Sequence, residues 1–206
     1  PIPTVIVGGT NGKGSTTAFL TSLGRAAGLK VGTYTSPHLQ RYNERIAIDG
    51  EPVADAALVE AFEVIESVRG ATPLTFFEYG TLAAYLVFAT QRVEVAMVEV
   101  GLGGRLDATN IIDADVAVIT SIGLDHMDWF GPTVEHIGRE KAGICRAGHP
   151  VILGMPPWPV SVREVIATLD CPVRELGVDF ETIPTLVGPA RAVNGAAALA
   201  AFETLL

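Results

Sequence analysis

The chain has 206 residues, of which 49% are hydrophobic and 18% charged, a composition that supports a filled core and excludes a disordered chain. Its formal net charge of −9 argues against sequence-independent nucleic-acid binding, which depends on neutralising phosphates with Lys and Arg. The sequence contains neither an apolar run of the roughly 18 residues that span a membrane nor a signal-peptide pattern at residues 1–4.

Short apolar runs and helical patterns alternate along the chain. Strands are predicted for residues 4–7, 30–34, 45–49, 93–100, 114–120, 150–153 and, at an edge, 172–175. Helices are predicted for residues 16–27, 55–68 with Asp55 as N-cap, 76–92, 133–142, 160–169 and 193–206. This alternation is typical of an α/β fold with a mostly parallel sheet and helices on both faces. We predict one domain over residues 1–206, and because the chain opens on a core strand and finishes inside a helix, we expect a fragment of a longer enzyme.

The turn after the first strand is unusually rich in glycine. Residues 8–15 read GGTNGKGS, with four glycines around Lys13 and a helical pattern directly after them. Glycine permits the positive φ angles that aim several backbone amides at one anion, and a helix N-terminus and a lysine add positive charge. The spacing departs from the usual G-x-x-x-x-G-K-[ST] pattern of phosphate loops. We still predict a nucleotide phosphate site, the alternative being a glycine-rich turn without special purpose.

Polar side chains lie at the ends of three later strands. Ser36 follows the second strand, Glu99 ends the strand at 93–100, and His126 follows the strand at 114–120. Ligands of open parallel sheets gather at the carboxyl ends of the strands, and Mg²⁺ prefers hard oxygen ligands, so we expect these residues to meet near the nucleotide. Taken singly, each has a plainer interpretation as a strand end or a loop residue, and Lys141 on a later helix reads as a solvated charge.

The sequence contains two cysteines. Cys145 and Cys171 have neither the spacing of a metal site nor that of a redox motif. We therefore predict two packed thiols and a reducing, cytoplasmic setting.

Six stretches, in order over residues 4 to about 150, resemble the folylpolyglutamate synthases and dihydrofolate synthases of the Mur ligase superfamily. They are GTNGKGS at 9–15, YTSPHL at 34–39, FFEYGTLAA at 76–84, VEVGLGGRLDATN at 98–110, IGLDH at 122–126 and REKAGI at 139–144. The first would fit any Mur-type ligase, whereas TSPHL and FFEYGTLAA favour the folate branch. The resemblance implies the central-domain fold of these ligases, without their C-terminal domain.

The resemblance also implies an ATP-dependent ligase that adds L-glutamate to dihydropteroate, to reduced folates, or to both. A pteroate or folate carboxylate would attack the γ-phosphate of ATP, and the amine of L-glutamate would then displace phosphate from the acyl phosphate. Two Mg²⁺ ions would assist. We expect a monomer without nucleic-acid or membrane partners.

Site residues follow from the resemblance position by position. ATP would be bound by Thr10, Asn11, Gly12, Lys13, Gly14, Ser15 and Asn194. Metal ions would be held by Ser36, Glu99, His126 and Lys141, the lysine being carbamylated by CO2, and the catalytic residues would be Lys13, His126 and Lys141. The pterin substrate would be contacted by Thr75, Phe76, Phe77, Glu78, Leu106, Asp107 and Ala108. The family's H-Q-x-x-N-A motif is only partly matched around Asn194, where Ala190 and Arg191 replace His-Gln and Gly195 replaces Ala.

Two other functions are compatible with the sequence. A sister Mur ligase acting on a UDP-muramoyl peptide shares the chemistry but should lack TSPHL. A P-loop NTPase module that binds a partner protein would form no new bond, and its ATP hydrolysis would ignore pterin and glutamate.

Overall fold

The computed structural model describes residues 1–183 and 188–206. The strands are β1 Thr4–Gly8, β2 Val31–Tyr34, β3 Ile46–Ile48, β4 Glu51–Pro52, β5 Val95–Glu99, β6 Val116–Ser121, β7 Val151–Met155 and β8 Val173–Glu175. The helices are α1 Lys13–Ala26, α2 Asp55–Arg69, α3 Phe76–Thr90, α4 Met127–Phe130, α5 Val134–Ala142, α6 Val160–Thr168 and α7 Pro189–Leu205.

All the strands belong to one sheet in the order β4-β3-β2-β5-β1-β6-β7-β8. The neighbouring strands β2, β5, β1, β6, β7 and β8 pair in parallel. At one edge of the sheet, β3 pairs antiparallel with β2, and β4 pairs antiparallel with β3. In the centre of the sheet Val7 lies opposite Glu99, and Tyr34 lies opposite Val98. The loops that follow β1, β2 and β5 therefore leave the sheet at the same edge.

Both faces of the sheet are covered, and successive residues of the central strands face opposite layers. Val5 and Val7 pack with helices α1 and α7, while Ile6 between them packs with α5 and α6. In β5, Val98 likewise faces a cluster that includes residues of α2 and α3. Burial on both faces explains why the strands read as continuous apolar runs, and the predicted mostly parallel α/β fold is confirmed.

The prediction that Asp55 is the N-cap of α2 is wrong. Ala54 occupies the N-cap, and Asp55 is the first helical residue. The Asp55 carboxylate instead accepts hydrogen bonds at 2.9 Å from both the Arg41 guanidinium and the Asn43 side-chain amide. These long-range partners tie the helix to the loop after β2.

Other differences from the predicted elements are local. Helix α1 begins at Lys13 instead of residue 16, so the lysine of the glycine loop already belongs to the helix. The two-residue strand β4 and the single-turn helix α4 were not expected, because elements this short carry no hydrophobic periodicity. Among the helices within residues 1–183 and 188–206, none combines the length and apolar character needed to cross a membrane.

The close approach of β2 to α3 generates a prediction about stability. A Cβ atom built on Gly32 would lie 2.6 Å from Cδ1 of the fully buried Phe88. We predict that Gly32→Ala lowers the free energy of unfolding by about 1–3 kcal/mol through overpacking, as measured by urea denaturation. Phe88→Leu provides the control, because it makes room for the added methyl group. The double variant should lose less stability than the sum of the two single variants, and strict additivity would contradict the proposed contact.

Candidate active site

The glycine-rich loop between β1 and α1 is held in shape by the end of β6. The Thr10 amide donates a hydrogen bond to the Ser121 carbonyl oxygen at 2.8 Å, and the Asn11 amide donates to Ser121 Oγ at 3.2 Å. Thr120 Oγ1 donates in turn to the Asn11 carbonyl oxygen at 2.6 Å. Sequence reasoning did not assign a role to Thr120 and Ser121. Their signal was the change from apolar to hydroxyl side chains at the end of a buried strand.

The first backbone amides of helix α1 are not capped by a side chain. Gly12 occupies the N-cap in a left-handed conformation, with φ 89°, which glycine adopts without strain. The helix has neither a side-chain cap nor an acidic residue in its first turn. The first amides of a helix have no acceptor within it, and together with the helix dipole they favour an anion.

Two lysines distant in sequence converge on one carbonyl oxygen of the loop. The Nζ atoms of Lys13 and Lys141 each lie 3.0 Å from the Gly9 oxygen, to which both donate hydrogen bonds. Lys141 is only 4% exposed, and this burial, reinforced by the charge of Lys13, lowers the pKa of Lys141 to about 8. Lys141 is therefore a buried amine at the loop and not the solvated helical charge of the plainer interpretation.

Glu99 lies over the first turn of α1. Its Oε2 atom accepts a hydrogen bond from the Ser36 amide at 3.2 Å, and a Cβ built on Gly14 would be 3.6 Å from the same oxygen. Glu99 is 5% exposed, and burial raises its pKa, while the Ser36 amide and the charge of Lys13 act in the opposite direction. A buried carboxylate beside a serine, without a cationic side chain in ion-pair contact among the described residues, is a donor set that fits a hard divalent cation such as Mg²⁺.

His126 lies at the start of α4, in a left-handed conformation with φ 48°. Its side chain is half-exposed, with Nε2 3.5 Å from Asp125 Oδ1 and the ring edge-on to Phe130. Across the residues that the structure covers, no three His, Cys, Asp or Glu side chains are grouped as a metal site. Of the four predicted metal ligands, only Ser36 and Glu99 are brought into direct contact.

A cleft of about 840 Å³ opens beside Lys13, Ser36 and Glu99. Its further lining residues are Pro37, Arg45, Thr75, Phe77, Glu78, Gly101, Leu102, Arg105, Leu106, Asp107, Ala108, Trp129, Phe130 and Glu140. Six of the seven predicted pterin contacts line this cleft, and Phe76 does not. Phe76 is 65% exposed and packs edge-on against Tyr42 at 5.5 Å, because successive helical residues point about 100° apart.

The two acidic residues among these contacts also shape the walls of the cleft. Glu78 closes a capping box with Thr75, accepting from the Thr75 amide at 2.7 Å, and this bond lowers the pKa of Glu78. Asp107 accepts from the amides of Leu102 at 2.8 Å and Thr109 at 3.0 Å. A carboxylate has about four lone-pair positions, so both retain the capacity to accept a further N–H bond.

Asn194 reaches the glycine loop from α7. It is buried, and its Oδ1 atom would lie 2.6 Å from a Cβ built on Gly12. Asn194 thus occupies the space in which a side chain at position 12 would lie. The structure brings Asn194 to the loop, although contact with ATP stays a prediction.

Sequence reasoning missed an ion pair that joins two of the recognised motifs. Arg105 Nε lies 3.0 Å from Glu140 Oε2, and the Leu106 amide donates to Glu140 Oε1 at 3.3 Å. The loop segment that contains three predicted pterin contacts is therefore bound to helix α5, which carries Lys141. The only signal was that both residues lie inside motifs quoted for the resemblance.

Known proteins resemble this chain in both sequence and structure. The family described as the Mur ligase middle domain matches residues 7–177. The chain is 52% identical to the dihydrofolate synthase/folylpolyglutamate synthase of Escherichia coli K12, over 87% of this chain and 43% of that protein. It is similar to the solved structure of E. coli FolC in complex with DHPP and ADP, with TM-score 0.94 and 45% identity over 98% of this chain and 53% of that one.

A second solved structure resembles the chain to a similar degree. It is a bifunctional folylpolyglutamate synthase/dihydrofolate synthase with Mn, AMPPNP and L-glutamate bound, at TM-score 0.91 and 44% identity over 98% of this chain and 53% of that one. The chain spans about half the length of these relatives, from 43% to 53%.

Lys141 generates a prediction about pH-dependent stability. Because its folded-state pKa is about 8 against 10.5 in the unfolded chain, the unfolded state binds more protons between these values and stability rises with pH. We predict that from about pH 8 to about pH 10 the free energy of unfolding rises by ~1–3 kcal/mol relative to Lys141→Met. Urea denaturation of both proteins in carbonate-free buffer with a chelator measures the difference. Parallel pH profiles would contradict the burial of a titrating amine.

Proposed function

The chain belongs to the Mur ligase family, and from that premise we propose that it is the ATP-binding part of a ligase that adds L-glutamate to dihydropteroate and to reduced folates. The observation that carries the proposal is the convergence of the glycine loop, Lys13 and Glu99 at one end of a cleft whose walls contain six predicted pterin contacts. The names of the E. coli relative and of the solved structures support the same activity.

The reaction must convert a poor electrophile into a reactive one. A carboxylate oxygen of the pteroate or folate attacks the γ-phosphorus of ATP, the bond to the leaving ADP oxygen breaks, and an acyl phosphate forms. The neutral amine of L-glutamate then attacks the acyl carbon, phosphate leaves with its bonding electrons, and the amine proton passes to solvent. The product is an amide together with ADP and phosphate.

The protein brings two anions together by supplying fixed positive groups. The first amides of α1 and the Lys13 ammonium face the β- and γ-phosphates, stabilising charge on the transferring group. Lys13 Nζ now donates to the carbonyl oxygens of Gly9 and Thr10, at 3.0 and 3.4 Å, and exchanges these partners for phosphate oxygens. The hydrogen bonds that the loop forms with Thr120 and Ser121 hold it in the receptive shape.

Glu99 and Ser36 are the residues that would hold a first Mg²⁺, and His126 would contribute to a second. When bound, the ions supply neutralisation of the phosphate charge. Burial of Glu99 supports this role, since an uncompensated buried carboxylate is costly and a cation offsets that cost.

Lys141 would become an oxygen ligand by carbamylation. Its neutral amine attacks CO2, forming an N–C bond and releasing one proton, which turns a cationic side chain into a carboxylate-like anion. Burial supports this chemistry, because it lowers the pKa of Lys141 to about 8 and so increases the fraction of the nucleophilic neutral amine.

The pterin end of the substrate would occupy the apolar part of the cleft. Phe77 lines the cleft with an aromatic side chain, and the carboxylates of Glu78 and Asp107 can each accept an N–H of the pterin. We also propose a reducing, cytoplasmic setting, which is supported by the free thiols of Cys145 and Cys171.

A turnover assay tests this function. We expect the full-length protein, given ATP, Mg²⁺ and L-glutamate, to release phosphate and form a glutamylated product with dihydropteroate and with tetrahydrofolate, detected by mass spectrometry. Omission of either co-substrate should abolish the product. Phosphate release that ignores both co-substrates would favour an NTPase module, and turnover only with a UDP-muramoyl peptide would favour a sister ligase.

Carbamylation of Lys141 gives a separate prediction. We expect Lys141→Ala to lose most of the ligase activity and to regain part of it when a short carboxylate such as acetate is added, because the acid replaces the missing oxygen ligand. Lys30→Ala is the matched control, since Lys30 lies at the opposite end of the sheet beside β2. An alanine variant with wild-type activity in bicarbonate-free buffer would exclude the role.

A further inference from the structure

One buried cation of the cleft has no anionic partner in the part of the chain that the structure describes. Arg45 is 9% exposed, lines the cleft and lies directly before β3, where its carbonyl oxygen accepts the Thr35 amide at 2.9 Å. None of the ion pairs formed within residues 1–183 and 188–206 includes Arg45. Buried arginines are normally paired, because an uncompensated charge in a protein interior is costly. An unpaired arginine in a cleft wall therefore points to a ligand.

The other two cations that line the cleft are already engaged. Arg105 forms its ion pair with Glu140, and Lys13, which donates to two carbonyl oxygens of the glycine loop, is the cation proposed above to bind the ATP phosphates. The carboxylates of Glu78 and Asp107 likewise accept backbone amides. Arg45 is thus the cation of this wall whose charge is left for a molecule entering the cleft.

The Arg45 guanidinium is held in a fixed orientation. Its Nε donates to His38 Nδ1 at 2.8 Å, and its Cζ lies 5.4 Å from the centre of the Phe76 ring and 5.7 Å from that of Tyr42. Cation–π contacts and the bond at Nε set the plane of the group. No side chain in the described part of the chain accepts from its two terminal nitrogens, which form a fork that matches the two oxygens of a carboxylate.

We propose that Arg45 binds a carboxylate of the substrates that is not the one being phosphorylated, an inference that rests on the proposed function. The reacting carboxylate must approach the γ-phosphate beside Lys13, and pairing with an arginine would weaken it as a nucleophile. Two substrate groups have the required chemistry. One is the free carboxylate that a reduced folate carries on the glutamate it already has, and the other belongs to the incoming L-glutamate.

Comparison of two pteridine substrates separates these sources, because dihydropteroate has no carboxylate besides the reacting one. Steady-state kinetics of the full-length protein would compare wild type, Arg45→Gln and the control Arg41→Gln, whose arginine lies on the same loop but pairs with Asp55 outside the cleft. We expect Arg45→Gln to raise the KM for tetrahydrofolate by about tenfold or more, with little change in kcat or in the KM for dihydropteroate. That result assigns Arg45 to the carboxylate of the bound folate.

Other results of the same kinetic comparison would lead to different conclusions. A comparable rise in the KM for L-glutamate with either pteridine supports carboxylate binding and assigns it to the incoming amino acid. Unchanged KM values for all three substrates, or a loss confined to kcat, would overturn the inference. If Arg45→Gln does not fold, as judged by urea denaturation, Arg45→Lys keeps the charge without the fork and should show the same selective rise to a smaller extent.

Calorimetric binding of tetrahydrofolate and dihydropteroate to the same proteins distinguishes the two proposals. Binding of tetrahydrofolate that depends on Arg45, in a protein that glutamylates neither compound, would contradict the proposed function alone. Glutamylation of both compounds with all Arg45 variants unchanged would contradict only the role of Arg45.

Discussion

The whole site depends on the parallel pairing of β1 with β5 on one side and β6 on the other. This pairing sets Val7 opposite both Glu99 and Val118, so three strands deliver their last residues to the same edge. Because of this register, the glycine loop accepts a hydrogen bond from Thr120 and donates hydrogen bonds to Ser121. A slip by one residue would turn every side chain of a strand to the opposite face and separate these groups.

Three buried charged residues give the site its electrostatic character. Lys141 and Arg45 are cations and Glu99 is an acid, and each is at least nine-tenths buried without an ion-pair partner among the described residues. Such groups destabilise a protein unless a ligand compensates them. All three lie at the edge of the sheet where nucleotide and substrate are expected to bind. Functional sites typically contain groups that lower local stability, because binding requires them.

Much of the fold was readable from the sequence, whereas side-chain directions at the site were not. Continuous apolar strands and periodic helices identified the parallel sheet, and the glycine pattern predicted a phosphate site in the loop after β1. Phe76 was expected in the cleft beside Phe77, but the start of α3 turns it toward Tyr42. Asp55 was expected to cap α2, but Arg41 and Asn43 bind its carboxylate. Both outcomes depend on neighbours that no local pattern contains.

The sequence by itself determined which chemical groups are present and which end of each strand carries them, because hydrophobic periodicity and glycine spacing are local properties of the chain. Only the tertiary structure decided which of these groups meet. It brought Lys141 to the carbonyl oxygen of Gly9 across 132 positions, and it left Arg45 buried beside two aromatic rings with no ion-pair partner among the described residues. Burial and pairing are relations between distant segments, so they arise only when the sheet and its helices pack together.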